Sequence, residues 1–199
     1  MTVSAKEVAE LRRQTGAGMM ECKRALEETG GDLAKAVEWL RARGGAKADR
    51  RADREVKQGL VECYLHHNGK VGVLIEVNCE TDFVARTDDF RVLCRDLAMH
   101  VASTAPIAVA AADVPAEIVE RERRIYTEQV AQEGKPEAIR SKIVEGKLKK
   151  FFQESVLLEQ PFVKDDKQTV GELVKAVSSK TGENVVVRRF VRFQIGEAV

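Results

Sequence analysis

Between Asn68 and Val101 the hydrophobic period of the chain changes once, from two residues to the helical spacing, and that change leaves few folds open. Asn68-Gly69 is the strongest short-range hairpin signal and lies between Leu60–His66 and Lys70–Cys79. Placing it at the tip pairs Tyr64 with Val73 and Leu60 with Val77. Val71, Val73, Ile75 and Val77 alternate as a half-buried strand does, and Phe90, Leu93, Cys94, Leu97 and Val101 then recur as one face of a helix from Asp88 to about Ser103. The switch between them is Asn78–Arg86, Asn-Cys-Glu-Thr-Asp-Phe-Val-Ala-Arg. Thr81 is placed to cap a helix through its hydroxyl, and Asp82 then falls in the first turn, where the helix dipole favours a negative charge. Phe83 is open to two readings. One is an ordinary core ring, since a buried Phe is the common case. The other is an exposed aromatic tip, a wedge for a partner.

The remaining elements are read around that block. Residues 1–44 predict a compact three-helix module. Ser4-Ala-Lys-Glu7 is a capping box for the first helix, with Val8 and Leu11 on its inner face, and Thr15–Gly18 breaks it. Met19–Glu28 forms the second helix, with Cys22, Ala25 and Leu26 inward and Gly30-Gly31 as the stop. Asp32 caps the third, which buries Leu33, Ala36, Val37 and Leu40. Met19 and Met20 are adjacent and so point about 100° apart on a helix. Both cannot be core, and at least one is predicted to face a partner.

Residues 45–57 are charged, lack an apolar stripe and read as a linker. Residues 58–199 then form the core domain. Within it Pro115 opens a charged helix to about Glu133, Gly134-Lys135-Pro136 turns the chain, and a second helix carries Ile139, Ile143 and Leu148. This gives a helical hairpin over 115–150 whose thin apolar stripe, with Ile118 and Ile125, predicts a projecting element. Leu157–Val163 is extended, because Pro161 disfavours helix at Gln160. Thr169–Glu172 caps a further helix that Gly182 stops. A last strand, Asn184 to Ile195, carries Val185, Val187, Val191, Phe193 and Ile195 on one face and Arg188 and Arg192 on the other. The class is α+β: a three-helix module plus a small antiparallel sheet packed with helices.

A net charge of +1 marks no polyanion binder, and the acids interspersed through 45–57 argue against direct nucleic-acid contact. No apolar run approaches a bilayer span, and no secretory leader is legible at the N-terminus, so a cytoplasmic protein is expected. The four cysteines show no Cys-x-x-Cys pair and read as small reduced core residues rather than zinc ligands. His66 and His67 are strand neighbours on opposite faces and cannot chelate together. His100 flanks the helix stripe and reads as a hydrogen-bonded boundary residue. No phosphate-binding glycine loop, catalytic triad or paired carboxylates stand out, so neither enzymatic chemistry nor a cofactor is expected.

Two windows carry a resemblance. Leu11–Leu26 reads Leu-Arg-Arg-Gln-Thr-Gly-Ala-Gly-Met-Met-Glu-Cys-Lys-Arg-Ala-Leu, and Val77–Arg86 reads Val-Asn-Cys-Glu-Thr-Asp-Phe-Val-Ala-Arg. Both resemble signatures of bacterial translation elongation factor Ts, and the likeness continues through Gly134–Pro136, Ile143–Lys150, Gln160–Val163 and Arg192–Glu197. The resemblance implies a guanine-nucleotide exchange factor that binds elongation factor Tu, GDP-bound and nucleotide-free. It implies an N-terminal module like a ubiquitin-associated domain, touching the partner around Leu11, Met19 and Met20. It also implies that Thr81, Asp82, Phe83 and Val84 displace magnesium from the partner's nucleotide site. Longer members of the family carry two related core halves, whereas one hairpin signal of that type occurs here, which points to a homodimer. The rival reading is a ubiquitin-associated-type adaptor without exchange activity, and residues 1–44 are its sole support.

Overall fold

The computed structural model describes residues 3–134 and 136–197, with the side chain of Lys47 left aside. Lys135, the centre of the expected 134–136 turn, lies outside the described residues, as do Met1 and Thr2 of the expected module.

The first and third helices begin where capping chemistry places them, whereas the second follows Gly18 without a side-chain cap. Before α1 (Ala5–Thr15), Ser4 Oγ accepts the Glu7 amide at 3.3 Å while Glu7 Oε2 accepts the Ser4 amide at 2.8 Å, so the capping box is complete. α2 spans Met19–Glu28, and α3 (Leu33–Asp49) starts with Asp32 Oδ1 accepting the Lys35 amide at 3.1 Å. Their shared core is Val8, Leu11, Cys22, Ala25, Leu26 and Ala36, ringed by Leu33, Val37, Trp39 and Leu40.

α3 does not stop at Gly44. It runs through Gly44-Gly45 to Asp49 and takes the first part of the expected linker into the helix. Gly44 has a packing reason, whereas nothing lies within 4 Å of a Cβ at Gly45. A Cβ at Gly44 would lie 3.1 Å from Ser179 Oγ, so a glycine lets the backbone approach. Lys175 Nζ reaches Asp49 at 2.8 Å, and Asn184 Nδ2 donates to the Ala52 and Arg54 carbonyls at 3.1 and 2.9 Å. The charged segment is thus tied down by specific polar contacts.

The strands are β1 (Gln58–Leu65), β2 (Val71–Cys79), β3 (Pro161–Phe162), β4 (Asp165–Thr169) and β5 (Val185–Gln194). β1, β2 and β5 form an antiparallel sheet with β2 in the centre, and β3 pairs with β4. The hairpin register is the expected one: the His66 amide donates to the Val71 carbonyl at 2.9 Å. Gly59 is required in β1, because its φ is +151° and a Cβ there would lie 2.2 Å from the Val77 carbonyl oxygen. The β3–β4 pair was not legible, because Asp165–Thr169 carries no apolar alternation.

The other helices are α4 (Asp82–Ala85), α5 (Asp88–Thr104), α6 (Ala116–Gln132), α7 (Glu137–Ser155) and α8 (Val170–Thr181). Two compact units share these elements. The first ends at Val61 and resumes over Glu76–Cys94 and Glu172–Val187. The second takes Glu62–Ile75, Arg95–Gly171 and the residues from Arg188 onward.

In the second unit α6 and α7 pack on each other through Val130, Val144 and Leu148, with Val119, Tyr126 and Ile143 around them. α7 continues to Ser155, past the expected end at 150. Ile125 and Ile139 remain exposed, so the stripe is as thin as the sequence implies.

Four further expectations are corrected. Leu157–Glu159 forms a 3₁₀ turn, so the expected extended segment begins only at Gln160. Cys63 is exposed on β1, whereas Cys22, Cys79 and Cys94 are buried. The burial parity of β5 reverses along its length. Val185 and Val187 are buried, but Val191, Phe193 and Ile195 are exposed, and Arg192 turns in to donate from Nε to the Ala102 carbonyl at 3.4 Å. Arg188 and Arg189 are both exposed in succession, which marks a slip of the kind a β-bulge makes.

Lastly, His100 is fully buried rather than at a boundary. The Val163 amide donates to its Nδ1 at 3.2 Å, so Nε2 carries the proton and donates to Gln160 Oε1 at 2.9 Å. Thr104 Oγ1 donates to the same Gln160 oxygen, and Gln160 Nε2 donates to the Glu154 carbonyl. Burial holds the ring's pKa below its ordinary 6.5, against the opposing pull of Gln160. A second proton would land on Nδ1 and displace the Val163 amide. With the folded pKa depressed, the unfolded chain protonates first. The stability contributed by the neutral ring is therefore complete above 6.5 and is lost as pH falls below it. Urea unfolding from about pH 8 to about pH 5.5 should show this loss, and His100→Gln should flatten it. Equal slopes in the two proteins would exclude His100 as the source.

Candidate functional site

The strand-to-helix switch is built from the backbone upward. β2 ends at Cys79, and Thr81 leaves it extended, at φ −127° and ψ 156°. Its hydroxyl oxygen accepts the Val84 amide at 3.4 Å and so caps α4. Asp82 occupies the first turn and pairs with Arg86 at 2.8 Å. Both side chains are well exposed, so the pair adds little to stability. α4 is a single turn. Thr87 ends it, its hydroxyl donating to the Val84 carbonyl at 2.7 Å, and the same oxygen accepts the Phe90 amide at 3.4 Å to begin α5. The helix expected from Asp88 is α5, and Thr81 caps a separate single turn before it, so each has its own threonine cap.

Within that turn Ala85 is buried, Val84 is half-buried and Phe83 is 78% exposed. Of the two readings of Phe83, the exposed tip is the observed one. The core ring of this region is Phe90, which is fully buried.

The mount beneath the tip is polar and well satisfied. Glu183 Oε2 accepts the amides of Glu80 and Thr81 at 3.1 and 3.0 Å, and its Oε1 accepts the Thr81 hydroxyl proton at 2.6 Å. Glu80 Oε1 in turn accepts the Asn184 amide at 2.6 Å. Cys79 Sγ donates to the Thr81 carbonyl at 3.1 Å. Burial, and next the Glu183 carboxylate, push that thiol up to about 11, so it stays protonated and serves as a donor. Sequence reasoning missed Glu183. Its only local signal was a position just after the helix stop at Gly182.

In the N-terminal module Met19 and Met20 are 47% and 72% exposed, so both methionines face outward. Met20 also borders a cleft of about 300 Å³ with Trp39 and Arg43, whose guanidinium stands 5.0 Å over the indole ring. Leu11 is fully buried in the module core, and it can influence a partner only through the backbone that it positions.

Among the described residues no group of three His, Cys, Asp or Glu could hold a metal ion, and no helix is long and apolar enough to cross a membrane. Fold and tip together define an α+β protein that presents an apolar side chain on a hydrogen-bonded polar mount. A family model described as Elongation factor TS matches residues 5–197. Elongation factor Ts of Coprothermobacter proteolyticus is 55% identical over 197 residues, which cover 99% of this chain and all of that relative. The same factor of Fervidobacterium nodosum is 53% identical over 99% of this chain and all of that relative. That of Thermosipho melanesiensis is 54% identical over 98% of this chain and all of that relative. The chain belongs to the elongation factor Ts family, and so to the translation elongation factors.

The exposure of Phe83 has a direct thermodynamic consequence. Phe83→Ala should leave unfolding stability within about 0.5 kcal/mol, as for surface substitutions. Phe90→Ala, which empties a buried ring site, should cost about 3–5 kcal/mol. Chemical denaturation of both variants checks the contrast.

Proposed function

We propose that this protein is a cytoplasmic guanine-nucleotide exchange factor for elongation factor Tu, and that Thr81–Val84 is the segment that dislodges magnesium from the partner's nucleotide site. The observation that carries the reading is the exposed ring of Phe83 on a turn with a threonine hydrogen bond at each end. The physics is coupling. A factor that binds the nucleotide-free partner more tightly than the GDP-bound one weakens GDP binding by the same ratio. Phe83 supplies the wedge. Asp82 brings a carboxylate towards the phosphate and magnesium region, where like charge disfavours the bound arrangement. Met19 and Met20 give the N-terminal module a soft apolar contact, of a kind that adapts to a partner surface. No covalent step belongs to this chain, and the exchange needs none.

Release of labelled GDP from elongation factor Tu, with and without the protein, tests the reading. The protein should accelerate release, and Phe83→Ala should lower the accelerated rate by at least about tenfold, as for an aromatic hot spot. No acceleration by the folded wild-type protein would defeat it.

The working unit in this reading is a homodimer. In the second unit, counting along β5 from the Ile195 amide on the Lys70 carbonyl sets Phe193 opposite Gly72 and Val191 opposite Leu74. Counting along β1 from the His66 bond sets Leu65 opposite Gly72 and Cys63 opposite Leu74. The sheet thus has two rows, Leu65–Gly72–Phe193 and Cys63–Leu74–Val191, exposed except at half-buried Gly72, and Phe193 is 68% exposed. A contiguous apolar sheet face is an association surface, and a second copy offers a matching one around a two-fold axis. Light scattering over a wide concentration range should give the mass of two chains, falling to one for Phe193→Glu. A single-chain mass for the wild-type protein throughout would defeat the dimer.

A further inference from the structure

We infer that Glu183 is the positioning residue of the Thr81–Val84 tip, an assignment that rests on the exchange reading above. The sequence places Glu183 about a hundred residues from the tip, yet its carboxylate takes three of the donors at the end of β2. Oε2 receives both the Glu80 and Thr81 amides, and Oε1 receives the Thr81 hydroxyl proton at 2.6 Å. That last bond has a directional consequence. A threonine hydroxyl has one proton. Once it points at Glu183, the oxygen lone pairs are left to face the Val84 amide, which is the capping bond of α4. Glu183 therefore sets the rotamer that makes Thr81 a cap.

α4 depends on that cap more than an ordinary helix would. A four-residue turn meets the full cost of nucleation with almost no propagation to offset it, so its geometry is set by its end contacts. Of those contacts, the Asp82–Arg86 pair is solvent-exposed and weak. The interactions that aim Phe83 are therefore Thr81, with Glu183 behind it, and Thr87 at the far end.

Glu183 is itself held from several sides. Its carbonyl accepts the Ser178 hydroxyl proton at 2.6 Å. The next amide, of Asn184, donates to Glu80 Oε1, and the Asn184 side chain is fixed by the Ala52 and Arg54 carbonyls. Glu80 is also reached by Arg54 Nη1 at 3.3 Å. Glu80 and Glu183 thus cross-brace one another: each carboxylate accepts a backbone amide from the other's strand end. The aim of the ring is transmitted from the end of α8 through a carboxylate, and the tip behaves as a rigid part rather than a loop that folds on contact.

The test uses the full chain with Glu183→Gln, which keeps the size but replaces an acceptor oxygen with an amide nitrogen facing donors. Two readouts are needed. In the free protein, amide hydrogen exchange at Thr81 and Val84 should accelerate in the variant while the amides of α5 keep their protection. In GDP release from elongation factor Tu, the maximal rate should fall roughly 10- to 100-fold, the scale expected when a reacting geometry is displaced by about 1 Å. The concentration of factor at half-maximal rate should stay within about twofold, because the other contact surfaces are intact. Thr81→Val supplies the second variant. If Glu183 acts through the Thr81 hydroxyl, the double variant should lose no more than the larger single loss.

Unchanged exchange at Thr81 and Val84 overturns the inference. So does a maximal rate within twofold of wild type in a protein where Phe83→Ala is inactive, or fully additive losses in the double variant. If Phe83→Ala itself leaves the rate intact, the tip reading fails, and the positioning role fails with it. The exchange data would then still record whether the brace exists.

Discussion

A strand that ends by turning into a helix exposes backbone donors that neither element can satisfy. Here that debt falls on Glu80, Thr81 and the first turn of α4, and three side chains settle it. Thr81 caps Val84, Glu183 takes the amides of Glu80 and Thr81, and Thr87 closes one helix and opens the next. The position of Phe83 follows from this arrangement. The turn held in this way directs Ala85 and Val84 inward and leaves the ring of Phe83 out in solvent.

The capping chemistry was legible because its signals are local. Ser4-Ala-Lys-Glu7, Asp32 and Thr81 each declare a helix start within four residues, and Asn68-Gly69 declares a hairpin within two. What escaped the sequence depends on residues far apart. Residues 45–57 read as a linker, yet α3 continues to Asp49, with Ser179 close to Gly44 and Lys175 paired with Asp49. Odd-numbered apolar residues in β5 read as one buried face, but a slip near Arg188 and Arg189 turns the later ones outward. Cys63 looked like core because the alternation in β1 gives no hint which face is covered. In the proposed site the roles of Thr81–Val84 come from the resemblance and Phe83 was open between two readings, whereas the Thr81 cap and an outward-facing methionine were readable from their own neighbourhoods. Glu183 was not, since nothing near it in sequence indicates that its carboxylate reaches Thr81.

On the exchange reading proposed above, this protein works by contact, and its requirements differ from those of one that works by chemistry. Two groups shifted chiefly by burial, His100 and Cys79, lie inward, where each serves as a hydrogen-bond partner rather than a reagent. The structural investment goes into stiffness behind a small exposed apolar area. A side chain that is already aimed does not lose entropy on ordering when it meets a partner, so more of the contact energy remains for displacing a ligand.

The uneven burial of the four thiols also gives the folded chain a single chemical address. Cys22, Cys79 and Cys94 are closed to reagents, and Cys79 is further disarmed because it remains a thiol at neutral pH. Cys63 alone is open, in the middle of the apolar sheet rows. An alkylating dye offered to the native protein would report from that face without any engineering of the sequence. Whatever covers the rows would also shield the dye's target, so the labelling rate becomes a meter of occupancy.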